Sequence, residues 1–168
     1  MKIRARAAMA VFASLRTWVI ALFLFGTVPA FAANPNPISE SQAQQLGQNV
    51  VRMQDTVLNL LEMAKPAVGA EQLALLLIAN SGTPPLFAVD RVAELADIYQ
   101  NMTSEKDKAY VAGGASTALE NAKRQLDVGV TGINGQVIYL TSPAAIAEVQ
   151  RLRDLMREVR QRLDQYHY

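Results

Sequence analysis

The chain has 168 residues, no cysteine, a single histidine and only 7% aromatic residues. The missing cysteine excludes disulfides, thiolate metal sites, thiol nucleophiles, covalently attached c-type haem and the acylated cysteine of a lipoprotein. The formal charge is +1, but Lys2, Arg4, Arg6 and Arg16 fall in an amino-terminal targeting segment; the rest holds 12 basic against 15 acidic residues, without the Lys/Arg footprint that nucleic acid requires.

The first sixteen residues are basic and acid-free. An apolar run from Trp18 to Phe25 follows, then Pro29 and the small-residue pattern Ala30-Phe31-Ala32. These are the three regions of a secretory signal peptide. Residues 1–32 are therefore expected to be cleaved, with delivery to the bacterial periplasm or beyond. The apolar run is shorter than the ~20 residues that cross a bilayer, so no stable span is expected after cleavage. Residues 33–38 carry Pro35 and Pro37 and are expected to form a flexible leader to a helical domain over 39–168.

Ser39 and Gln42 form a capping-box pattern that predicts a helix start. Leu46, Val50, Met53, Val57, Leu60 and Ala64 then recur at 4-3-4-3-4 spacing, a seam that Val51 and Leu61 widen. Lys65-Pro66 and Gly69 end this helix. Residues 70–102 read as one bundle arm, kinked or split at Pro84-Pro85, with Thr83 able to cap a second helix. The run Leu73 to Ala79 is apolar throughout and implies burial on several sides. Ala88, Val92, Leu95, Tyr99 and Met102 continue the arm at helical spacing.

Ser104 to Asp107 restarts a helix whose buried stripe is Val111, Ala115, Ala118, Ala122 and Leu126. Gly113-Gly114 within it predicts close approach of another backbone. Gly129 to Leu140 is the least helical stretch and reads as a structured loop, with a small hairpin at Asn134-Gly135 as the alternative. Ser142-Pro143 starts the last helix. Its seam is Ile146, Val149, Leu152, Met156, Val159, Leu163 and Tyr166. Four amphipathic arms with short connections predict an all-α, antiparallel up-down-up-down bundle. The seams would also suit a dimerising helical hairpin.

The chemical candidates are few. His167 is the sole histidine, so Ser–His–acid catalysis would depend on a segment expected to fray. Asp90, Glu94 and Asp97 share a helical face and could hold a hard cation, but read first as a solvated surface. Carboxylate-dependent enzyme chemistry needs a cleft that nothing in the sequence marks. A b-type haem, held by His167 and Met102 with Met53 deeper, is loosely similar to the cytochrome b562 family, on no motif beyond a Tyr-His near the end of the chain. No cofactor and no metal are assigned. Arg151, Arg153, Arg157 and Arg160 crowd the last helix and are the speculative partner-binding residues; Arg162 adds a fifth positive charge. The expectation is thus an exported, non-enzymatic helical protein acting on an unidentified protein partner, as an adaptor, chaperone-like factor or antagonist. A small-molecule or cofactor-binding bundle and a carboxylate-dependent envelope enzyme are the alternatives, and a homodimer is compatible with the seams.

Overall fold

A computed structural model describes residues 36–168, so the expected signal peptide lies outside the described residues. Among the described residues four helices follow one another: α1 (Glu40–Ala64), α2 (Gly69–Asn101), α3 (Glu105–Gln136) and α4 (Pro143–Leu163), with a 3-10 turn at Val137–Tyr139 before α4. α1 packs on α2, α2 on α3, α3 on α4 and α4 back on α1. This is the expected up-down-up-down bundle, with α2 and α4 at opposite corners.

Local chemistry starts the helices where the sequence places it. Ser39 Oγ accepts from Gln42 N, and Gln42 Oε1 accepts from Ser39 N at 2.8 Å, completing the capping box. Ser104 caps α3 through Asp107 N, and Ser142 caps α4 through Ala145 N, with Pro143 at the first helical position. Gly69 has φ +61, a left-handed turn that glycine adopts without Cβ strain, and it lets α2 fold back on α1. Gln72 Nε2 then donates to the Ala64 carbonyl at 3.2 Å, satisfying an orphan acceptor at the end of α1.

The seams bury as expected over Leu46 to Ala64 in α1 and Val149 to Leu163 in α4. Three details differ. Val51, Leu61 and Ile146 are exposed, because they lie beside the stripe that their helices bury in the bundle. Leu119 is fully packed in α3, where Ala118 is only partly buried. Leu73, Leu76 and Leu77 face outward; of the apolar run in α2, only Ala74, Leu75, Ile78 and Ala79 are buried.

Pro84-Pro85 lies inside one continuous helix rather than between two. Thr83 Oγ1 does not cap a new helix. It donates to the Ala79 carbonyl at 3.0 Å, and Ser81 Oγ donates to the Leu77 carbonyl at 2.8 Å. The prolines give no N–H to the carbonyls of Asn80 and Ser81. The Ser81 carbonyl instead lies against Gly129 of α3, where a Cβ would come within 2.8 Å of it and of the Pro85 ring.

That contact also explains the largest departure from the sequence reading. Residues 129–136 are helical, not a loop or hairpin. Gly129 and Gly132 face α2 and let the two backbones close together; a Cβ at Gly132 would meet Ser81 Oγ at 2.7 Å. Close approach therefore occurs here and not at Gly113-Gly114, where an added Cβ would meet nothing within 4 Å among the described residues.

The two ends of the described chain meet. Asn36 and His167 form an antiparallel bridge, with N···O distances of 2.9 and 3.2 Å, and Asn36 Nδ2 donates to the Gln165 carbonyl. Ile38 is fully buried and its carbonyl accepts from Gln100 Nε2 at 2.7 Å. Asn36 to Ile38, expected to belong to a flexible leader, are thus pinned to the bundle. So is the tail, expected to fray: Tyr166 and Tyr168 are buried, and the Tyr168 ring meets Tyr99 edge-on at 5.3 Å.

Candidate functional site

α2 presents an uncharged outer face. No Asp, Glu, Lys or Arg occurs from Gln72 to Val89. On that face Leu73, Leu76, Leu77 and Phe87 are 58, 44, 40 and 60% exposed, and Asn80 and Pro84 are exposed between them. Leu73, Leu76, Asn80, Pro84 and Phe87 follow one another at 3- and 4-residue steps, with Leu77 beside Leu76, so they line one side of the helix. The inner side, through Ile78, Pro85 and Val89, is locked in the bundle. Among the described residues α2 is also the one helix long and apolar enough to cross a membrane by length and composition alone. Sequence reasoning missed this face, because a helix apolar all round reads as buried all round. The absence of any charge over eighteen residues was the available signal.

The arginines of α4 do not form one row. Arg160 Nε donates to Asp127 of α3 at 3.1 Å, and its Nη1 pairs with Asp164. The bond to Asp164 holds the Arg160 guanidinium above its usual pKa and the Asp164 carboxyl below its own. Arg162 turns the other way, to Gln45 of α1 at 3.2 Å and Glu158 at 2.6 Å. Arg153 donates to Gln150 and buries its Nε without a partner among the described residues. Arg151 and Arg157 are the most exposed of the group and pair loosely with Glu148 at 3.6 Å and Asp154 at 3.7 Å.

Asp90, Glu94 and Asp97 do not converge. Glu94 pairs with Arg91 at 3.1 Å, and Asn101 Nδ2 donates to Asp97. Partial burial, with Glu94 nearby, pushes the Asp90 carboxyl above its ordinary range. Among the described residues no group of three or more His, Cys, Asp or Glu side chains is placed to hold a metal ion.

At the pole formed by the Asn36–His167 bridge, Met102 is half-buried, the His167 side chain is exposed, and Met53 is fully buried within the bundle. At the opposite pole an open cavity of about 270 Å³ lies between Met63, Pro66, Glu71 and Ser142. Its carboxylate is already engaged. Glu71 accepts from Thr141 Oγ1 at 2.5 Å, Thr141 N at 3.1 Å and Ser142 N at 2.8 Å. Glu71 thus ties the start of α2 to the start of α4, and the Thr141 hydroxyl, ahead of the two backbone donors, holds its carboxyl below the ordinary value.

Comparison with protein-family models, with curated proteins and with solved structures finds no match to this chain.

Proposed function

We propose that this chain is an exported, non-enzymatic helical protein that works by protein–protein contact, as an adaptor, chaperone-like factor or antagonist of another exported protein. The observation that carries the reading is the outer face of α2. Four large apolar side chains stand in water along a helix whose other side is fully committed to the core. Exposing them costs free energy that covering them would return, at about 25 cal/mol per Å², and contiguous exposed patches of this kind mark contact surfaces. Export rests on the three-part leader over residues 1–32.

The test is a photo-reactive side chain placed at Leu76 or Phe87 in the full-length protein, expressed in cells and irradiated, with Gln44 on the polar face of α1 as control. The reading expects covalent adducts to protein from the first two positions and none from Gln44. Absence of adducts at Leu76 and Phe87, or equal labelling at Gln44, would reject it.

A further inference from the structure

Four of the exposed residues on α2 are spaced symmetrically about Asn80. Leu73 lies seven positions before it and Phe87 seven after; Leu76 lies four before and Pro84 four after. We propose that the outer face of α2 binds a second copy of this chain, antiparallel and two-fold symmetric, with Asn80 on the axis. This rests on the reading of that face as a protein contact and names its occupant.

Symmetry of spacing is what such a contact needs. In an isologous interface each residue meets the residue related to it by the axis. With the axis at Asn80, Leu73 meets the partner's Phe87, and Leu76 meets the partner's Pro84. Apolar groups face apolar groups at these positions, while Leu77 meets the partner's Thr83, half-buried with its hydroxyl bonded to the Ala79 carbonyl. No charge is desolvated, because the uncharged segment extends past Leu73 and Phe87 on both sides; the first charge outward is at Glu71, turned away to Thr141 and Ser142, and the next at Asp90.

Asn80 supplies the polar centre. Pro84 has no N–H to give the Asn80 carbonyl, and Asn80 brings an exposed side-chain amide to the axis. Across a two-fold, each amide can donate to the oxygen atoms of the partner's Asn80. One such polar residue in an otherwise apolar seam fixes register and orientation.

The size also fits. The exposed fractions of Leu73, Leu76, Leu77 and Phe87 amount to on the order of 400 Å² of apolar surface, the scale of a functional patch. Asn80 and Pro84 add to the face, whose apolar part is about half of the ~800 Å² per partner of a standard interface. The stripe runs ~21 Å from Leu73 to Phe87 at the helical rise, and α4, at the far corner of the bundle, stays outside the contact.

The chain has no cysteine, so single cysteines report the geometry cleanly. The protein is expressed from its full-length sequence, purified from cells and oxidised gently. Asn80→Cys, on the axis, should cross-link to itself. Leu73→Cys alone and Phe87→Cys alone should not, while their mixture should. Sedimentation should give twice the monomer mass for the unmodified protein, and Leu76→Glu should lose the dimer with an unchanged far-ultraviolet helical spectrum. A protein that sediments as a monomer, or Leu73→Cys that cross-links to itself as readily as Asn80→Cys, would overturn the proposal. Sedimentation with phosphatidylcholine vesicles, lost on Leu76→Glu, would give the face to a lipid surface and overturn it too. A monomer whose Leu76 probe labels a different protein would reject the second copy and leave the contact reading standing. No labelling of any protein would reject both.

Discussion

The Ser81 carbonyl of α2 lies against Gly129 of α3, 2.8 Å from where a Cβ would stand. Proline at position 85 removes the N–H that would have held this carbonyl in the helix. Glycine at 129 removes the side chain that would have kept it away. The two residue types that argue against helix in each segment together permit one close crossing, with room for weak Cα–H···O contact.

Gly129→Ala is therefore expected to destabilise the protein by about 1–3 kcal/mol, despite the ~1 kcal/mol that alanine gains in helix propensity. Its Cβ would meet the Ser81 carbonyl and the Pro85 ring, neither of which can rotate away. Gly113→Ala enters open space and should stabilise by up to ~1 kcal/mol. Urea unfolding midpoints that move in the same direction for both variants would contradict this.

The same pair shows what the sequence could and could not reveal. Caps at Ser39, Ser104 and Ser142 were legible because each is written within four residues. The seams of α1 and α4 were legible because their period is local. Residues 129–136 were not, since three glycines there oppose helix by propensity, and only the distant Ser81 and Pro85 make two of them favourable. The outer face of α2 was hidden for a related reason: Leu73, Leu76 and Leu77 are as apolar as Leu75 and Ile78, and only the packing sorts them. The arginines of α4 share a helix in sequence, but Asp127 and Gln45, on different neighbours, draw Arg160 and Arg162 apart.

Glu71 makes the joint between α2 and α4 sensitive to acid. Its carboxyl titrates lower in the folded chain than its ordinary 4.5, because the hydroxyl of Thr141 and two backbone N–H groups donate to the charged form. A depressed folded value means that the stabilisation is present above the ordinary value and fades as pH falls through the folded one. Glu71→Gln should lower the melting temperature at neutral pH, and the gap from the unsubstituted protein should close in acid. A gap independent of pH would show that the joint does not depend on the charge.

Asn49 lies in the seam of α1 between Leu46 and Met53, 3% exposed, and its Nδ2 has no hydrogen-bond partner among the described residues. A buried donor left unsatisfied costs about 1–3 kcal/mol. Leucine repeats the branched shape of asparagine without its polar atoms. Asn49→Leu should raise stability by about 1–2 kcal/mol on that account, read as a higher urea midpoint with unchanged slope. A lower midpoint would mean that the amide is satisfied in solution.

Tyr168 gives the tail a second, alkaline signature. Its ring packs edge-on against Tyr99, and its hydroxyl is buried beside the Ile38 backbone without a well-formed hydrogen bond. Burial pushes the phenol up to about 12 from its ordinary 10.0. A raised folded value means that the unfolded chain loses this proton first, so stability holds below 10.0 and falls as pH rises towards the folded value. Ultraviolet titration should show one tyrosine ionising well after the rest. Tyr168→Phe keeps the ring contact and removes the hydroxyl, so it should abolish the late phase and flatten the alkaline loss of stability. If the variant instead melts lower at neutral pH with the late phase intact, the hydroxyl is bonded and another tyrosine carries the shift. The outcome bears on the whole pole, because Tyr168 packs where Ile38 enters the core and where Asn36 pairs with His167.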